Sequence, residues 1–303
     1  MLEVKRSQCV DVFFKVEADA HIVSTIGTVE LVVSACRFEN ALRRHCPTCC
    51  VPYIDTRLDC SLPRPRDSAL FMPGHFGGTW GIVRDGMAAN WVSQPSDCDV
   101  FNNGFLTRYA DPSGCWNGLQ YTGSMMQKAI NCESYDDLCQ PYDFSDFEAD
   151  HGGPHMWISG HMAALPCAPL DPIFWSHHSF VDMLGERLKA RLAPQQWRYP
   201  SNWMVPYMHR AGDPMRPFHY RNADGMYDEF IGKNYFYEIS PADFKCSKDT
   251  DCSPSGLLWC DTASGTGACK AKCQPRGRCR TGVHAMCYCK KGTPRCNMGT
   301  CEC

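Results

Sequence analysis

Asp171-Pro172-Ile173-Phe174-Trp175-Ser176-His177-His178-Ser179-Phe180-Val181-Asp182 opens the most regular stretch of this chain. Asp is a good helix cap, and Pro, with its fixed φ and missing N–H, suits the first helical position. Ile173, Phe174, Val181, Leu184 and Leu188 then recur at helical spacing, so the sequence predicts a helix from about Pro172 to Leu192. His178 lies seven residues after Asp171, with Phe174 one turn before it and Asp182 one turn after. Residues four apart share a helix face. An aromatic at Phe174 can therefore buttress one imidazole, and a carboxylate at Asp182 can orient it or a neighbour.

Upstream, His151-Gly152-Gly153-Pro154-His155 puts two imidazoles four residues apart. On a helix they would stack on one face, close enough to share a metal ion. A zinc protease needs Glu directly after the first His as its general base, and Gly152 stands there instead. With His178, the pair makes three histidines in an arrangement that favours a metal centre over satisfied core histidines. A second helix is predicted over 30–44, with Val33, Phe38 and Leu42 on one face. Residues 60–120, rich in Pro, Gly, Asp and Asn, read as long loops with short elements. Tyr235-Phe236-Tyr237-Glu238-Ile239 reads as a strand-like run closing a domain. The body is thus expected to be mainly α, with heavy loops.

The chain has 303 residues, of which 44% are hydrophobic and 21% charged, so a core can form and wholesale disorder is excluded. Of its 22 Cys, 11 fall within 246–303. That segment is too short and too poor in apolar residues to hold itself by burial, so disulfides must do it. No repeated Cys pair of zinc-finger spacing occurs. Two domains are expected, 1–245 and 246–303. Eleven cysteines on each side is an odd number, so either one bridge tethers tail to body or each part carries an unpaired thiol; the tether is the simpler expectation. Such density implies an oxidising, extracellular location and a secreted protein. No charged, apolar, small-residue leader opens the sequence, which is the expectation for a mature or N-terminally incomplete chain. The stretch 22–36 is broken by Glu30 and too short to span a bilayer, so no membrane partner is expected.

The net charge of −3 hides an asymmetry: from Cys246 on, nine Lys/Arg face four Asp/Glu, while the body carries 21 against 29. A basic tail can contact an acidic matrix polymer, or simply be a solvated module. Lys/Arg clusters with interleaved aromatics are absent, which argues against nucleic acid.

The stretch 151–162, HGGPHMWISGHM, followed by 171–182, DPIFWSHHSFVD, resembles the copper-B half of the tyrosinase, catechol oxidase and molluscan haemocyanin family. Phe38–Arg44 (FENALRR), Val51–Asp59 (VPYIDTRLD) and Met215-Arg216-Pro217-Phe218 extend the likeness over roughly 30–240. The Cys-rich tail lies outside it and is similar to the appended cysteine modules of invertebrate members. The resemblance implies a four-helix-bundle type 3 copper domain, in which two coppers, each held by three His, bind O2. His151, His155 and His178 would be the copper-B ligands, with Phe174 as buttress, His177 beside them, and Asp171 and Asp182 as structural partners. Small phenols or catechols would be oxidised to quinones, for pigment or matrix cross-linking. Glu148, three residues before His151, matches a family carboxylate that could orient a water and help deprotonate a phenol; equally, it could be an exposed first-turn residue. Gly152 stands where some phenol-hydroxylating members carry Asn, which argues against monophenol hydroxylation.

The copper-A half departs from the family. Members carry Trp-His-Arg seven residues before the Phe of their Phe-Glu motif, and counting back from Phe38 reaches Leu31, between Glu30 and Val32. His21 falls about where a middle copper-A ligand would lie, Asp19 rules out a Cys-x-His thioether, and Glu17 stands in the upstream ligand's place. Three explanations stay open: mistranslation or mis-splicing within 15–36, a catalytically silent relative, or substitution by His45 or His75. The functional alternatives are a copper oxidase and a structural extracellular-matrix protein keeping the fold with at most one copper. An O2 carrier would show tandem copies of the domain.

Overall fold

The computed structural model describes residues 37–93, 98, 104–113, 126–127, 131–134, 147–164, 166–192, 198–199, 210–215, 220–226, 236–253 and 255–303. Its helices are α1 (37–43), α2 (Thr56–Asp59), α3 (Phe147–Ile158), α4 (Pro172–Arg191) and α5 (Asp249–Cys252). Short antiparallel pairs join β1 (Trp80–Ile82) to β2 (Thr107–Tyr109) and β3 (Pro214–Met215) to β4 (Tyr220–Arg221). Two more, β5 (Leu258–Asp261) with β6 (Ala268–Ala271) and β7 (Arg295–Asn297) with β8 (Thr300–Glu302), lie in the cysteine-rich segment. The two long helices, α3 and α4, make the described body mainly α, and the expected four-helix bundle is not complete among the described residues. None of the described helices is long and apolar enough to cross a membrane.

α4 begins where the sequence predicts. The Asp171 carboxylate accepts from the Ile173 N–H at 2.9 Å, Pro172 takes the first turn, and Leu192 caps the other end. Asp171 has a second task. It is fully buried and paired with Arg108 of β2, also fully buried, through Nε–Oδ2 at 2.7 Å and Nη2–Oδ1 at 2.9 Å. Arg108 Nη1 donates further to the carbonyls of Phe76 at 2.8 Å and Gly78 at 3.2 Å. One guanidinium thus ties the start of α4 to the β1–β2 pair and the 76–78 loop, a two-pronged geometry that suits Arg and not Lys.

The body's core packs α4 against α1 and α3. Phe38 of α1 stacks on Trp175 at 4.1 Å between centroids and 5° between planes, with Leu42, Phe180, Leu184 and Leu188 around it. α3 is a helix despite Gly152, Gly153 and Pro154 at its centre, residues that local propensity disfavours there; burial of Trp157, Ile158 and both of its histidines outweighs that preference. Gly160, at φ +62, follows α3 where a Cβ would sit 2.2 Å from the Thr107 carbonyl. Only glycine permits that approach to β2. Cys98–Cys167 ties the region before β2 to the segment before α4, and Cys46–Cys49 closes the loop after α1.

The run around 235–239 departs from its strand reading. Residues 236–240 form no ladder; Tyr237 donates its hydroxyl to Asp182 of α4, Tyr53 donates to the Glu238 carbonyl at 2.8 Å, and Ser240 donates to buried Asp55. Side-chain bonds to α4 and to the loop before α2 hold this segment in place of backbone pairing.

The cysteine-rich segment contains five internal disulfides: 246–260, 252–269, 279–296, 287–301 and 289–303. They leave Cys273 as the odd thiol. The expected tether is therefore corrected: no tail cysteine bridges to the body, and Cys273 is a buried free thiol whose pKa burial pushes up to about 12. The segment is joined to the body by backbone instead. Ala69 N donates to Lys272 O, Gln274 N to Asp67 O, and Arg278 N to the Asp67 carboxylate, each at 2.8 Å. Leu62 of the body is buried in the segment's own cluster of cysteines, Trp259 and Met286.

Candidate metal centre

α3 and α4 together bring His151, His155 and His178 to one point. One ring nitrogen from each lies within 4.8 Å of the others, and all three residues are buried. Helix periodicity places His151 above His155, while packing of α4 on α3 brings His178 across; the His155 and His178 Nε2 atoms are 3.1 Å apart. His155 Nδ1 faces the Met162 carbonyl at 2.8 Å. A carbonyl only accepts, so Nδ1 carries the proton and Nε2 turns its lone pair to the cluster.

His178 is clad by aromatics. The Phe174 ring lies 4.0 Å from it between centroids, tilted by 42°, and also meets His155 at 5.9 Å. His177, its neighbour in sequence, points elsewhere: its Nε2 donates to the His151 carbonyl at 2.9 Å, and its ring lies parallel to that of His151 at 5.4 Å. Burial, and then the surrounding histidines, holds both His177 and His178 well below the usual imidazole range. Both are neutral at physiological pH, the state in which imidazole ligates.

These residues suit copper. Three buried imidazoles converge, each with one ring nitrogen, a donor set that copper favours, and His178 Nδ1 is buried without a hydrogen-bond partner. The cysteine groups that are equally close, 246/252/269 and 279/287/296, have their sulfurs in disulfides.

Other residues singled out in the sequence are placed differently. Asp182 accepts from Tyr237 and does not hold His178 Nδ1, so its bond runs from α4 to the 236–240 segment rather than to the imidazole. Glu148 belongs to the first turn of α3, but its side chain lies outside the described residues, as does His21. His45 is exposed and His75 half-buried, and neither joins a group of three metal-ligating side chains among the described residues. His161, close to the pair in sequence, is fully buried but diverted: its Nδ1 accepts from the Thr107 N–H at 3.1 Å and its Nε2 bonds Ser93 Oγ at 2.9 Å. Arg108 was missed by sequence reasoning, because a lone Arg in a loop-rich stretch carries no local signal of its buried partner.

The description "common central domain of tyrosinase" matches residues 35–190. A tyrosinase-like protein of Caenorhabditis elegans is 30% identical over 278 residues, covering 88% of this chain and 38% of that protein. Residues 1–245 alone cannot carry a likeness of that extent, so it reaches into the cysteine-rich segment. Tyrosinase-like protein 2 of Margaritifera margaritifera is 27% identical over 218 residues, covering 66% of this chain and 48% of that protein. The tyrosinase of Bos taurus is 27% identical over 203 residues, covering 59% and 37%. The chain spans less than half the length of each of these relatives.

Proposed function

We propose, from the premise that this chain belongs to the tyrosinase family, that it is a secreted copper protein oxidising phenols or catechols to quinones with O2, for pigmentation or matrix cross-linking. The observation that carries the reading is the convergence of His151, His155 and His178 in one buried pocket. In this reading those three imidazoles hold one copper. A copper pair, when bound, would supply the two-electron redox chemistry by which O2 oxidises the substrate; overall, two catechols and one O2 give two o-quinones and two waters.

The chain's own residues prepare the site. The Met162 carbonyl fixes the His155 tautomer with Nε2 free to ligate, and Phe174 keeps the His178 ring in place and water away from it. His177, bonded to the His151 carbonyl, braces α3 against α4. Glu148, placed on α3 before His151, would accept the proton of an incoming phenol through a water. The many disulfides support an extracellular location.

A second reading has its own observation. Leu31 stands where the family carries its copper-A Trp-His-Arg, and Leu cannot ligate copper. A structural matrix protein with the same fold and at most one copper follows from that substitution. Metal analysis of purified protein separates the two: two coppers per chain for the oxidase, one or none for the structural protein. Catechol-dependent O2 uptake is expected from the copper-loaded chain and is abolished by His178→Ala with helical circular dichroism retained. Absence of uptake by the intact loaded protein would overturn the enzyme reading.

A further inference from the structure

The last turns of the cysteine-rich segment form a ladder wider than one hairpin. At Arg278 the chain bridges antiparallel to β8, with Arg278 opposite Thr300, Cys279 N donating to Gly299 O and Cys301 N donating to Gly277 O, each at 3.0 Å. β7 lies on the other side of β8, with Asn297 opposite Thr300 and Arg295 opposite Glu302. Side chains of a ladder alternate between faces, and directly opposed residues share one. One face therefore carries Cys279, Cys296 and Cys301, all buried and fixed by the 279–296 and 287–301 bridges. The opposite face carries Arg278, Arg280 and Arg295, all exposed, together with Asn297 and with Glu302 opposite Arg295.

The surrounding charge is one-sided. Arg276, Lys290 and Lys291 flank the ladder and are exposed, and from Lys272 to the last residue Glu302 is the single acidic side chain. Glu302 is itself engaged by Asn297 Nδ2 at 3.4 Å. Arg280 Nη2 donates to the Ser61 carbonyl at 3.2 Å, which anchors that edge to the body. The disulfides fix the backbone of this face, so no loop has to be ordered to present its arginines. Arg278, in line with Thr300 and Asn297, and Arg295, in line with Glu302, present guanidinium groups on neighbouring rows of one face, an arrangement suited to successive anionic groups on an extended polymer. Guanidinium binds sulfate or carboxylate through paired hydrogen bonds. Base stacking has no platform on this face, because Trp259 is buried and Tyr288 half-buried.

We infer that this arginine face is a docking surface for an anionic polysaccharide bearing sulfate or carboxylate groups. The surface lies on the cysteine-rich segment, apart from the histidine pocket, and it does not depend on the copper reading. The full chain is passed over immobilised heparin, with neutral dextran and duplex DNA as comparison probes, at about 0.1 M salt, where surface charge is only partly screened. Retention on heparin but not dextran is expected, falling steeply with salt. R278E/R295E is expected to bind heparin about tenfold or more weakly, with a shallower salt dependence, unchanged copper content and intact disulfides. R278Q/R295Q gives the same reading should the charge reversal disturb folding. Retention on dextran equal to heparin, equal binding by the double variants, or duplex DNA binding as tightly as heparin would each overturn the assignment.

Discussion

The histidine pocket and the cysteine-rich segment each keep a small group of side chains buried, by opposite means. The pocket rests on two long helices packed through Phe38, Trp175, Phe180 and Leu184, with the buried Arg108–Asp171 pair holding one helix start. The segment has only short strand pairs and one helical turn around a small cluster with Leu258, Trp259 and Met286, and five bridges closing loops of 14 to 17 residues supply what a larger core would. Burial, aided by the Cys98–Cys167 bridge before α4, holds the first against solvent; covalent bonds hold the second chiefly where thiols stay oxidised. The comparison teaches that the two parts of one chain fail under different stresses.

Reduction breaks the comparison most sharply. Each loop of this size stabilises by roughly 3 kcal/mol in the chain-entropy account, so full reduction removes more than the segment can replace. Proteolysis under reducing conditions is expected to cut within 246–303 first, while copper binding by the histidines persists. Loss of the histidine site at the same reductant concentration would show that the two parts share one fold.

Arg108→Met attacks the pocket from its support. It strands the Asp171 carboxylate in a fully buried position, which typically costs about 3–5 kcal/mol. Thermal unfolding should fall accordingly, with weaker copper retention and the tail disulfides still formed. A drop of under about 1 kcal/mol would show that Asp171 finds water once Arg108 is gone.

The smallest effect sits where the two regions meet. Asp59 of α2 is buried, with Oδ1 lacking a partner, in a cavity it shares with Ser68, Leu70, Leu257 and Leu258. Burial pushes its pKa up to about 7, with Ser68 pulling down and Asp55 pushing up. Below about pH 4 the carboxyl is protonated both folded and unfolded, at no cost. Between about 4 and 7 only the unfolded chain ionises, so stability falls as pH rises and levels off above about 7. Asp59→Asn is expected to flatten that slope and to be more stable than the parent at pH about 8, by up to a few kcal/mol. An unchanged pH profile would place water against Oδ1.

Much of the site was legible in the sequence because its cues are local. Asp171-Pro172 starts a helix wherever it is placed before a helical pattern, and spacing of four sets Phe174 beside His178. The role of Asp182 was not legible, since the same spacing that allows it to reach an imidazole also allows it to turn to Tyr237. Local cues also misread 236–239, where aromatic residues favour a strand but no partner strand is paired with it among the described residues.

Sequence alone determined the helix of the second histidine segment, the family and the disulfide character of the tail, all of which follow from short-range periodicity, capping and residue type. Tertiary structure decided which atoms meet: that His178 crosses to His155 while His177 turns to a backbone carbonyl, that Arg108 holds Asp171, and that Cys273 is the thiol left over. Those outcomes depend on packing between segments far apart in the chain, where the free energy of burial is set by shape and by available partners, neither of which is written at any single position.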